Sequence, residues 1–144
     1  MEKLLISGCL LGQKCKYDGG NNYINKVNEL KKKYILVSIC PESDGGLSTP
    51  REPSEIRNGR VYSKSGLDVT TNFQNGALKA LAKAKSEGIT KALLKEGSPS
   101  CGKSLIYDGT FTGNKIIGMG ITAQLLMASG IKIYNENEID KLLK

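Results

Sequence analysis

The sequence predicts an α/β fold: a small single-domain, three-layer arrangement with a mainly parallel sheet and covering helices. Three observations carry that reading. The chain has 144 residues, the size of one domain. Short apolar runs bounded by Gly, Pro or polar clusters alternate along it with amphipathic stretches. Strands that alternate with helices favour a parallel sheet joined by right-handed crossovers. The whole of residues 1–144 is read as that one domain, without linker, repeat or low-complexity segment.

The elements follow in order. Residues 3–7 read as a buried strand, and residues 25–33 as a short helix with Val27 and Leu30 turned inward. Residues 34–39 form a second strand. The clearest helix runs over 71–87, where Phe73, Ala77, Leu78, Leu81 and Ala84 follow helical spacing and Lys79, Lys83 and Lys85 face outward. Asp68, Thr70 or Thr71 caps its start and Gly88 stops it. A third strand covers 91–94. The helix over 121–129 is apolar nearly all round and is expected to lie buried against the sheet. A fourth strand at 131–134 and a terminal helix at 136–143 complete the series. Three long irregular segments remain, 8–22, 40–68 and 95–118, holding most of the Gly and all four Pro. Irregular stretches of such length inside a compact domain usually serve function.

Composition narrows the chemistry. Apolar residues make up 39% and charged residues 24%, a globular profile. Histidine is absent, which excludes a Ser-His or Cys-His nucleophile pair, an imidazole base and any His-containing metal site. No apolar run approaches the roughly 20 residues that span a bilayer, and Met1-Glu2-Lys3 does not lead into a signal-type stretch. The protein is therefore expected to be soluble and cytoplasmic. The net charge of +7 suits an anionic partner, although the basic residues are mostly scattered lysines and the run Lys31-Lys32-Lys33 reads as a solvated helix face. Only three are arginines, Arg51, Arg57 and Arg60, clustered where a planar, bidentate donor would be needed.

The four cysteines, Cys9, Cys15, Cys40 and Cys101, fit no linear zinc-ribbon or ferredoxin spacing. Taken singly, each reads as a small buried apolar residue. Their places in the predicted fold say more. Cys9 follows the first strand, Cys40 the second, and Cys101 lies in the loop leaving the third. The carboxyl ends of parallel strands share one edge, where ligand crevices form. Three thiolates there, without histidine, favour soft iron chemistry or zinc, with one metal position left open.

Four segments carry a resemblance. Ser7-Gly8-Cys9-Leu10-Leu11-Gly12-Gln13-Lys14-Cys15-Lys16-Tyr17-Asp18-Gly19 is the first. Cys40-Pro41-Glu42-Ser43-Asp44-Gly45-Gly46-Leu47-Ser48-Thr49-Pro50-Arg51-Glu52-Pro53 is the second. Leu94-Lys95-Glu96-Gly97-Ser98-Pro99-Ser100-Cys101-Gly102 and Ile106-Tyr107-Asp108-Gly109-Thr110-Phe111 complete the set. In this order they resemble the thiouracil desulfidase family over almost the whole chain. Gly8 and Lys16 depart from the Ala and Arg more usual there, a difference that bears on substrate choice rather than on the thiols.

The resemblance implies a 4Fe-4S cluster held by Cys9, Cys40 and Cys101, with the fourth iron free to take sulfur from a thiolated uracil. It also implies catalytic roles for Glu42 and Ser98, with Cys15 as a helper thiol beside the cluster. Residue chemistry agrees. The iron polarises the thione, water attacks its carbon, and Glu42 is the natural base in a chain without histidine. Ser98 donates to the substrate or holds the water. Asp44, Arg51, Arg57 and Asp108 read as loop residues engaged in structural pairing. The expected partner is a small thiolated nucleobase. Other readings are a carrier of clusters or sulfide, a desulfidase acting on thiouridine in transfer RNA, and a structural zinc site. A carrier would release no uracil, RNA binding would depend steeply on salt, and metal analysis would reveal zinc.

Overall fold

The computed structural model describes residues 1–144. β1 (Glu2–Ser7) leads through a short 3-10 turn, Gly8–Leu11, into the first long loop. α1 (Val27–Lys33), β2 (Tyr34–Ile39) and the one-turn α2 (Pro41–Asp44) follow. Next come β3 (Ser54–Arg57), β4 (Arg60–Ser63), α3 (Thr70–Ser86) and β5 (Lys91–Leu94). β6 (Leu105–Tyr107), β7 (Lys115–Ile117), α4 (Ile121–Ala128), β8 (Lys132–Asn135) and α5 (Ile139–Leu143) complete the chain.

The central sheet has the order β2-β1-β5-β8, and every pairing in it is parallel. Leu4, Leu5 and Ile6 on β1 are wholly buried, as are Ala92, Leu93 and Leu94 on β5, because helices cover both faces of a parallel sheet. On one face Leu5, Ala92 and Leu94 pack with Ala80 and Ala84 of α3 and Ala123 and Leu126 of α4. On the other, Leu4, Ile6 and Leu93 pack with Leu30 of α1 and Ile139 and Leu142 of α5. The expected three layers are present.

Several details differ from the sequence reading. The segments read as irregular contain two antiparallel hairpins, β3-β4 and β6-β7. The first turns at Asn58-Gly59, both with positive φ, a two-residue turn matched to the twist of its strands. Leu78 is exposed rather than inward, because its side of α3 meets the edge of α4 in a surface groove with Ile121 and Leu125. α4 buries only Thr122, Ala123 and Leu126, leaving Met127 outside. It packs chiefly on α3, so a single stripe suffices. No side chain caps the start of α3 directly; Asp68 instead accepts from the Thr70 N–H at 2.9 Å.

Two close approaches position the loops that matter below. A Cβ at Gly76 on α3 would lie 1.9 Å from the Pro41 carbonyl oxygen, so only glycine lets α2 sit against α3. A Cβ at Gly120 would fall 2.5 Å from the Ser100 carbonyl carbon. There the first turn of α4 donates to the loop, Ile121 N–H to Pro99 O at 2.9 Å and Thr122 N–H to Ser100 O at 2.9 Å. No helix is long and apolar enough to cross a membrane.

Candidate metal and active site

Strand order places the site. From β1 the chain winds to β2 on one side and to β5 on the other, so a crevice opens where the winding reverses, beyond the carboxyl ends of these strands. A cavity of about 430 Å³ lies there. Cys9, in the turn after β1, Cys40, directly after β2, and Cys101, in the loop after β5, all line it, together with Cys15, Glu42 and Ser98. The structure therefore brings the three candidate ligands, Cys15 and both candidate catalytic residues into one cavity. All four cysteines are free thiols.

Each sulfur has a polar neighbour. The Cys40 Sγ lies 3.3 Å from Ser43 Oγ, and the Ser100 Oγ lies 3.6 Å from Cys101 Sγ. The Cys40 thiol is lowered to about 6, chiefly by the hydrogen bond from the Cys15 thiol and, against its burial, by Ser43 and Arg51. Cys15 is raised for the complementary reason, since it keeps the shared proton, and by burial. Burial pushes Cys101 up to about 12 against hydrogen bonds from Ser7 and Ser100. Burial raises Cys9 too, against a hydrogen bond from Asn22. Cys9 and Cys101 thus need a bound cation's charge to ionise fully, as ligand thiols do.

Glu42 is 14% exposed and ion-paired with Arg51, whose Nε donates to Oε1 at 3.2 Å. Its other oxygen, Oε2, accepts from Ser100 Oγ at 3.0 Å. Ser98 Oγ lies 2.8 Å from Ser100 Oγ and accepts from the N–H groups of Ser100 and Cys101 at 3.1 and 3.0 Å. A carboxylate only accepts, so the hydroxyl protons run from Ser98 to Ser100 to Glu42. Ser100, buried at 2% exposure, joins the two candidate catalytic residues and was not singled out from the sequence. Its only signal there is its place beside Cys101. The Glu42 loop supplies that carboxylate with a guanidinium partner.

The remaining polar loop residues have structural partners. Asp44 accepts from the Cys40 N–H at 3.2 Å, Arg57 stacks over Tyr62 with 4.6 Å to the ring centroid, and Asp108 accepts from the Thr110 N–H at 2.9 Å. Arg60 pairs with Asp68 at 2.7 Å. Lys31, Lys32 and Lys33 are exposed.

The donor set fits an iron–sulfur cluster. Its only soft ligands are thiols, which suit Fe–S chemistry, and three arrive on three separate loops with hydrogen-bond partners at their sulfurs. No three Cys, Asp or Glu side chains close around a point where one ion would sit. Around a single zinc at about 2.3 Å per sulfur, tetrahedral thiolates would stand about 3.8 Å apart. Thiolates that each bind a separate iron need not approach so closely.

These features define a class: a parallel α/β protein whose loops gather thiols, a carboxylate and hydroxyls in one cavity at the carboxyl edge of the sheet. Within it, the family model for 2-thiouracil desulfurase matches residues 4–138, and the chain belongs to that family. The uncharacterized protein YbbK of Bacillus subtilis (strain 168) is 43% identical over 150 residues, covering 97% of this chain and 99% of its own length. The solved structure of a [4Fe-4S]-dependent thiouracil desulfidase, TudS, is similar with a TM-score of 0.94. It is 44% identical, and the match covers 99% of this chain and 95% of that one.

Proposed function

We propose that this chain is a 4Fe-4S-dependent desulfidase that removes sulfur hydrolytically from a thiolated uracil such as 2-thiouracil, giving uracil and hydrogen sulfide. The observation that carries the reading is the meeting of Cys9, Cys40 and Cys101 in one cavity with Glu42 and Ser98. Family membership and the 44% identity to TudS support it. In this reading Cys9, Cys40 and Cys101 hold the cluster. When bound, it supplies an iron without a protein ligand, a Lewis acid for a thione sulfur.

The chain's own residues handle water and protons. Glu42, held at one oxygen by Arg51 and at the other by Ser100, takes a proton from the water that attacks the thiocarbonyl carbon. Ser98, at the far end of the hydroxyl row, donates to Ser100 and through it holds Glu42 in place for the water. Overall, one water and one C=S group give one C=O group and one H₂S, without net electron transfer. The cavity volume of about 430 Å³ falls in the range of small-molecule pockets, which supports a free base over a macromolecule as substrate. The free thiols support a reducing, cytoplasmic setting.

Metal and sulfide analysis of anaerobically purified protein tests the reading. About four irons and matching acid-labile sulfide per chain are expected. Alanine at Cys9, Cys40 or Cys101 should abolish cluster binding, whereas Cys15→Ala should retain most of it. Stoichiometric zinc without labile sulfide overturns the proposal.

A further inference from the structure

Arg51 does more than pair with Glu42. Its side chain is 7% exposed, and its donors fan out to four acceptors. Nε reaches Glu42 Oε1 at 3.2 Å and Nη2 the Cys15 carbonyl oxygen at 2.8 Å. Nη1 reaches Thr49 Oγ1 at 2.8 Å and the Ser48 carbonyl oxygen at 3.3 Å. Thr49 Oγ1 then lies 3.2 Å from Ser43 Oγ, and Ser43 Oγ lies 3.3 Å from Cys40 Sγ.

The direction of this chain follows from its ends. A guanidinium can only donate, and a thiolate can only accept. Once Cys40 is ionised, as a metal ligand must be, the Ser43 proton points at the sulfur. Ser43 then accepts from Thr49, and Thr49 accepts from Arg51. Thr49 in the middle of the row is exposed, but successive hydrogen bonds polarise one another, so the cation at one end is felt at the sulfur at the other. The other edge of the same guanidinium fixes the carboxylate. Lysine, a point charge without a planar fork, cannot serve both branches in this geometry.

We propose that Arg51 is a positioning residue that acts on Cys40 through Thr49 and Ser43 while aiming Glu42, so that one cation sets both the electron donation of a cluster ligand and the orientation of the base. The proposal rests on the reading of Cys40 as a cluster ligand. Hydrogen bonds to ligand sulfurs are among the features that set a cluster's potential. They offset the extra negative charge of the reduced form, so removing one lowers the potential.

The test uses the reconstituted holoprotein and reads midpoint potential by redox titration beside iron content and melting temperature. Thr49→Val cuts the branch to Cys40 but leaves the Arg51–Glu42 pair. It should keep a full cluster and shift the potential downward, and Thr49→Ser should restore the wild-type value. Ser43→Ala removes the last donor and should shift the potential in the same direction. Arg51→Lys should give the downward shift together with a lower kcat and a KM within about twofold of wild type, the pattern of a lost transition-state interaction. Wild-type potentials in both Thr49→Val and Ser43→Ala, with full clusters, overturn the relay and leave the proposed function standing. Wild-type protein that holds no cluster overturns both.

Discussion

Glu42 and Glu96 line the same cavity, yet their hydrogen-bond surroundings differ. Glu42 accepts from two side chains, one on each oxygen. Glu96 accepts from the N–H groups of Gly97, Lys103, Ser104 and Leu105 and from the Asn135 amide at 2.6 Å. A carboxylate offers about four lone-pair sites. Those of Glu96 are filled, mainly by the backbone of its own loop, whereas Glu42 keeps capacity for a water. Burial works against the charge of Glu96, but the N–H groups of Leu105 and Ser104 and the Asn135 amide outweigh it and hold the carboxyl below its ordinary range. Both carboxylates lie at the cavity, and the count and kind of their donors suit Glu42 to the proposed role of base and Glu96 to a structural one.

The largest expected effect is at Glu42. Glu42→Gln should leave iron content and visible spectrum unchanged and lower turnover of 2-thiouracil by roughly 10²–10⁴-fold, the scale of positioned acid–base catalysis. Glu42→Asp should fall between, because its carboxylate is withdrawn by one methylene from its attack geometry. A fully loaded Glu42→Gln protein with wild-type turnover would break the comparison and place the base elsewhere.

Glu96→Gln should show the opposite pattern. It turns an NH₂ group toward backbone donors, and the unmet N–H groups should cost about 2–3 kcal/mol of stability, read as a lower melting temperature with kcat per cluster within a few-fold. The sign of its pH dependence follows from the lowered value. The contribution of Glu96 is complete above the ordinary carboxylate value of 4.5 and fades as pH falls below it through the folded-state value. The gap in melting temperature between wild type and Glu96→Gln should therefore close as the medium is acidified. A stable but inactive Glu96→Gln protein would contradict the distinction.

Ser100→Ala sharpens it with the smallest effect. This change removes one donor to Glu42 and the partner of Ser98 while leaving the Arg51 pair intact. A hydrogen bond to a charged group contributes about 1.5 kcal/mol or more, so turnover should fall about tenfold with the cluster retained. Unchanged turnover would show that Arg51 alone orients the base.

Parts of this design were legible in the chain. The apolar runs at β1, β2 and β5 identify strands buried on both faces, and parallel strands must present their carboxyl ends together. The positions of Cys9, Cys40 and Cys101 just past those ends therefore placed three thiols at one edge. The hairpins were missed because each of their strands has only three or four residues, too few for a clear alternation, although Asn58-Gly59 marked the first turn. Leu78 and Met127 were misplaced because periodicity identifies an apolar stripe without saying whether a neighbour covers its edge.

The sequence by itself determined the sheet class and the thiol chemistry open to a chain without histidine, because these depend on residue type and local pattern; the candidate roles of Glu42 and Ser98 came with the family resemblance. Only the tertiary structure decided which groups meet. Ser100 reaches Glu42 across 58 positions and Asn135 reaches Glu96 across 39. Arg51, read from the sequence as a loop ion pair, joins the Cys15 and Cys40 loops. Such contacts are made by the close packing of α2 on α3 at Gly76 and of α4 on the Cys101 loop at Gly120. Hydrogen bonds form through space at about 3 Å, a distance that chain separation does not encode.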